Sequence, residues 1–74
     1  MDNRHQHIKG YRDLTAEEIA LMNEIKAQGE AISALVAKLR AALGLDQRWI
    51  SIGATDCQTG IMALVRGVAQ PTTF

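Results

Sequence analysis

Apolar residues recur at alternating spacings of three and four along two stretches of this chain, and that period belongs to the α-helix. In the first stretch Met22, Ile25, Gly29, Ile32, Val36, Leu39 and Leu43 trace one seam, which Leu21 and Leu35 widen on one side. In the second, Ile50, Ala54, Cys57, Ile61, Leu64 and Val68 do the same. The pattern predicts a polar arm over 1–14, a long helix over 15–43, a second over 46–69 and a short tail over 70–74.

The ends of these helices carry their own signals. Thr15-Ala16-Glu17-Glu18 reads as a capping box, in which the Thr15 hydroxyl accepts from an orphan amide and Glu18 reaches back. Leu14 and Ile19 have the spacing of a hydrophobic staple. Glu17 and Glu18 suit the positive end of the helix dipole, and Lys38 and Arg40 suit the negative end. Gly44 stands where a left-handed stop is expected. Asp46 is a good N-cap for the second helix, which must end before Pro71. A connection as short as Gly44-Leu45 makes the two helices antiparallel neighbours. The predicted fold is therefore all-α, a single helical hairpin over 1–74 with a short N-terminal arm or helix.

The second helix exceeds what a hairpin needs. It carries only Arg48, Asp56 and Arg66 as charges, and Trp49, Ile52, Met62, Val65 and Ala69 form another apolar face beside its seam. A helix that is apolar on most sides is buried on most sides. Gly53, Gly60 and Gly67 recur every seven residues, although an interior glycine costs about 1 kcal/mol relative to alanine. That register predicts close approach of another backbone or a ligand.

Length sharpens this expectation. A chain of 74 residues buries too little surface for comfortable stability without a disulfide, a metal or partner chains. Cys57 is the single cysteine, and His5 and His7 have no second pair of zinc ligands. Self-assembly into a homo-oligomer is the remaining staple, and no metal or cofactor is expected. Eight basic and eight acidic residues balance to zero formal charge, which argues against a protein coating duplex DNA or RNA. The polar N-terminus lacks an apolar signal core, and the uncharged run from Cys57 to Val65 is too short to span a bilayer. A soluble cytoplasmic protein with no membrane role is expected.

Catalytic equipment is missing: there is no Ser–His–Asp set, no inward carboxylate pair and no phosphate-cradling glycine loop. Cys57, on the seam, reads as a small core residue rather than a nucleophile. In the arm, His5, His7, Lys9, Tyr11 and Arg12 interleave basic groups with an aromatic, a workable surface for a nucleotide. Spacing alone favours a solvated arm with one anchoring tyrosine. Lys26, at the shoulder of the seam, reads either as a lysine covering apolar surface or as a phosphate clamp beside a helix interface. From the cap to Lys26 is about 16 Å of helix axis. Tyr11 and Lys26 would therefore share a ligand most easily between two chains, or with the arm folded back. Arg66, among apolar neighbours, needs a partner: Asp56 of another chain, the helix C-terminus or an anion.

The wording of the chain adds a resemblance. Ile8-Lys9-Gly10-Tyr11-Arg12-Asp13-Leu14, then Glu17-Glu18-Ile19 and Leu21-Met22-Asn23-Glu24-Ile25-Lys26, resemble the phage cyclic-nucleotide sponges that counter CBASS, a bacterial cyclic-oligonucleotide immune system. Arg48-Trp49, Gly60, Met62-Ala63-Leu64-Val65-Arg66, Pro71 and Phe74 fit as well. The resemblance implies a homohexamer of helical hairpins, acting in the cytoplasm of the infected host. It would bind cyclic dinucleotides between protomers and, in some members, cyclic trinucleotides elsewhere. Carried across, Tyr11 stacks on a purine, Lys26 holds a phosphate, Arg12 adds a contact, and Arg66 serves trinucleotide phosphates. Two classes of function remain in view: a non-catalytic cyclic-oligonucleotide sponge, and a coiled-coil interaction or assembly module with no small ligand.

Overall fold

Thr15 opens the first helix as the sequence predicts. In the computed structural model, which describes residues 13–73, the Thr15 hydroxyl accepts from the Glu18 amide at 3.1 Å, and Glu18 Oε1 accepts from the Thr15 amide at 2.8 Å. Helix α1 runs Ala16–Ala41 and helix α2 runs Gln47–Ala69, and there is no strand among the described residues. The arm to Arg12, with His5, His7 and Tyr11, lies outside the described residues, as does Phe74.

The first helix stops two residues short of Leu43. Ala42 takes an extended conformation, and its amide is shared between the Lys38 and Leu39 carbonyls at 3.1 and 3.3 Å. Gly44 is left-handed (φ 82°), but within the turn rather than directly after the helix. Leu43 is consequently 97% exposed and does not extend the seam. The turn is closed from both sides: Asp46 Oδ1 accepts from the Arg48 and Trp49 amides at 3.1 and 3.2 Å, and the Gln47 side-chain amide donates to the Leu39 carbonyl at 3.1 Å. That last bond ties the start of α2 to the orphan carbonyls of α1.

The helices run antiparallel, since Gln47 meets Leu39 while Ile61 meets Gly29. On α1 the expected seam positions Met22, Ile25, Gly29, Ile32, Val36 and Leu39 are half-buried, as is Glu18 of the capping box. On α2 the half-buried seam positions are Ile50, Ala54, Ile61 and Val68, with Val65 rather than Leu64 completing the stripe, and Ile52 and Ala69 are half-buried beside it. At 100° per residue Val65 lies about 40° around the helix from Ile61 and Leu64 about 60°, so a single neighbouring helix covers Val65 first. Leu64 is 58% exposed.

Two helices side by side make no enclosed core. None of the described residues is fully buried. The radius of gyration is 16.0 Å, against about 11 Å for a compact chain of this length. Trp49 is 61% exposed and Met62 70%, and Ile19, Leu21 and Leu35 are each about half exposed.

Candidate functional site

Between α1 and α2, along one side of the hairpin, runs an open groove of about 720 Å³. Its floor is apolar, with Ile32, Val36 and Ile61, and Lys26, Glu30 and Arg40 on α1 supply its charges. Lys26 is exposed, so its ammonium is hydrated unless another molecule covers it. Of its two sequence readings, the structure retains both elements: a stem beside apolar surface and a charge at the edge of a concavity. Glu30 was not singled out by sequence and Arg40 only as a helix-end charge, because nothing in helical spacing distinguishes a groove edge from a solvated face. Turns of α1 bring them to the same rim as Lys26.

Cys57 also borders this groove and is exposed, contrary to the expected core position. The α1 residues lining the groove beside it include Gly29 and Ser33, which are too small to cover a thiol on the neighbouring helix. A residue on a seam is buried only where the facing helix offers bulk.

A second, smaller concavity of about 310 Å³ adjoins the end of α2 and is walled by Met62, Val65, Arg66, Ala69 and Pro71. Ile61 and Met62 line both concavities, so Lys26 and Arg66 border neighbouring recesses on one apolar surface. The Arg66 guanidinium donates from Nη2 to the Thr73 carbonyl at 3.0 Å. Of the partners considered from sequence, this is none; the C-terminal tail supplies it. At the other end of α2, Arg48 lies over the Trp49 ring, 5.3 Å from its centroid, which leaves that basic charge engaged with an aromatic face. Tyr11 and Arg12, the other expected ligand contacts, lie outside the described residues.

The described residues contain no cluster of His, Cys, Asp and Glu able to hold a metal, and no helix long and apolar enough to cross a membrane. What the geometry offers is two shallow, largely apolar recesses edged by charged side chains.

Comparison with known proteins agrees with the helical hairpin. Residues 4–69 match the family model described as Acb2/Tad1, hairpin domain. The chain is also 37% identical over 105 aligned residues to Anti-CBASS protein 2 of Pseudomonas phage JBD67, an alignment covering 96% of this chain and 97% of the relative. The alignment is longer than the chain itself, so the relative carries residues with no counterpart here.

Proposed function

The chain belongs to the Acb2/Tad1 hairpin-domain family, and from that membership we propose that it is a phage anti-CBASS protein that binds and sequesters cyclic oligonucleotides without cleaving them. One observation carries the proposal: the relationship to Anti-CBASS protein 2 spans nearly the whole of both chains. The site of action is the cytoplasm of the infected bacterium, where the signal is made.

The exposed apolar surface supports self-assembly. A hairpin with no fully buried side chain among its described residues gains further hydrophobic stabilisation by covering Trp49, Met62, Leu64 and their neighbours with further copies. A homohexamer of hairpins supplies two-fold axes between identical chains, and each axis presents every contact twice. A cyclic dinucleotide has approximate two-fold symmetry and two diester phosphates. Two copies of Lys26 hold the phosphates, two copies of Tyr11 stack on the purines, and Arg12 adds a further donor. Arg66 contacts the phosphates of cyclic trinucleotides near the three-fold axis.

A sponge acts by mass action. Holding the signal below the receptor's threshold requires nanomolar binding or better, about −12 kcal/mol. Enclosed purines and desolvated, charge-assisted phosphate contacts provide it. Calorimetric titration with a panel of cyclic di- and trinucleotides tests the reading. Tight binding is expected, with intact ligand recovered on heating and the dinucleotide affinity lost in Tyr11→Ala and Lys26→Ala. Recovery of linear nucleotide would identify an enzyme instead, and absence of heat with every ligand would leave an assembly module.

A further inference from the structure

One flank of α1 is left open by α2. Leu21, Gln28 and Leu35 recur along it every seven residues, and Glu17, Glu24 and Lys38 fall between them at steps of three and four. All six are exposed, the two leucines at 49% and 54%. At 100° per residue Gln28 lies about 100° around α1 from Gly29, which faces Ile61 of α2, and about 160° from Lys26 on the groove rim. The flank is thus turned away from both α2 and the groove.

Leucines at heptad spacing with charges beside them suit the seam of a coiled coil, which a second helix must cover. The charges here run one way: Glu17 and Glu24 lie in the first half of the line and Lys38 at its end. Two copies laid parallel would set each of these charges against its own kind, and like charges in contact repel. Turning one copy end for end about a two-fold axis at Gln28 removes the conflict. Leu21 then meets Leu35 of the partner subunit, and Glu17 meets Lys38 of the partner subunit, each pair occurring twice. Glu24 lies opposite the small Ala31 of the partner subunit, which leaves its carboxylate room to reach water. At the axis the two Gln28 amides face each other, and each can donate and accept. A polar residue in such a seam fixes register.

We propose that this flank of α1 is an isologous contact between two copies of the chain, antiparallel and centred on Gln28. It rests on the reading that the chain self-assembles, and adds the surface and its register. One isologous contact closes a dimer and goes no further. A larger assembly needs another, and this one, on the far side of α1 from Lys26, leaves each groove free for the contact that holds ligand.

The experiment uses the full chain with Cys57→Ser as background. Oxidised Gln28→Cys is expected to run as a disulfide-linked dimer. Seven residues from the axis is about 10 Å along the helix, beyond the span of a disulfide between like positions. Leu21→Cys alone and Leu35→Cys alone should therefore stay unlinked, while a mixture of the two links. In sedimentation, Leu35→Glu should give smaller species, because it sets a carboxylate against leucine twice. Lys38→Glu should weaken association about tenfold, the scale of two surface ion pairs turned into repulsions, and adding Glu17→Lys should restore it.

Wild-type sedimentation of Leu35→Glu, with no link in Gln28→Cys or in the mixture, would overturn the contact while self-assembly of the wild type stood. A wild-type chain that stays monomeric at every concentration would overturn the assembly reading as well. Self-linking of Leu21→Cys, or no recovery in the charge swap, would overturn the antiparallel register. A lower melting temperature for Leu35→Glu in dilute, dissociated protein would show the flank covered within one chain and overturn the proposal.

Discussion

Ile61 packs over Gly29 where the two helices meet: a methyl group added at residue 29 would lie 3.6 Å from Ile61 Cγ2 and 3.9 Å from its Cγ1 and Cδ1. That is ordinary van der Waals contact, so the glycine is not required by space within the hairpin. Gly29→Ala should therefore remove an interior helical glycine at no steric cost and stabilise the fold by about 1 kcal/mol. For a chain of this size the melting temperature should rise by about 4–8 °C, measured at fixed protein concentration. A fall would mean that another molecule approaches residue 29 from the groove side.

The heptad line of glycines behaves differently. A Cβ on Gly53, Gly60 or Gly67 meets nothing within 4 Å in a single hairpin. Gly60→Ala should thus favour the isolated helix by about 1 kcal/mol and weaken any assembly in which another backbone lies against it. Sedimentation equilibrium should show a shift to smaller species even as helicity rises. An unaltered association constant would remove these glycines from the interface.

Thr15 and Asp46 each satisfy orphan amides at a helix start. Thr15→Ala and Asp46→Ala should each destabilise the protein by about 1 kcal/mol, read from chemical denaturation. The effects should add, because the caps lie at different helices and share no partner.

Lys26 is exposed on the groove rim, so Lys26→Ala should change stability by no more than about 0.5 kcal/mol. Its cyclic-dinucleotide affinity should fall by tenfold or more, in line with about 1.5–3 kcal/mol for a hydrogen bond to a charged group. Calorimetry at low and high salt should also show a weaker salt dependence in the variant, since a phosphate partner has been removed. Unchanged affinity would exclude Lys26 from the site.

Cys57 is accessible in the single hairpin. If copies assemble over the groove and the glycine face, its thiol should react quickly with a disulfide reagent in dilute, dissociated protein and slowly at concentrations where the oligomer dominates. Equal rates at both concentrations would place Cys57 outside every interface.

Much of the hairpin was legible before any coordinates. Capping boxes, N-cap carboxylates and three-and-four spacing act between residues no more than a few positions apart, so Thr15, Asp46 and the α1 stripe from Met22 to Leu39 appear where the chain places them. The candidate site was legible only in part. Lys26 lies on a groove rim, yet Glu30 and Arg40 further along that rim carry no local mark of a site, and Tyr11 and Arg12 entered as ligand contacts through a resemblance of wording. The misplacements have one cause: whether a seam position is covered depends on what faces it. Small Gly29 and Ser33 beside the groove leave Cys57 open, and the stripe passes through Val65 instead of Leu64.

By itself the sequence determined two amphipathic helices, their order, their starts and the short link that makes them antiparallel, because backbone hydrogen bonding and apolar period are local. Tertiary structure alone decided which apolar residues remain exposed, where the groove runs, and that the tail returns from a left-handed Gln70 to Arg66. The first two depend on distances between segments far apart in the chain. The last depends on a backbone conformation at Gln70 that no glycine announces.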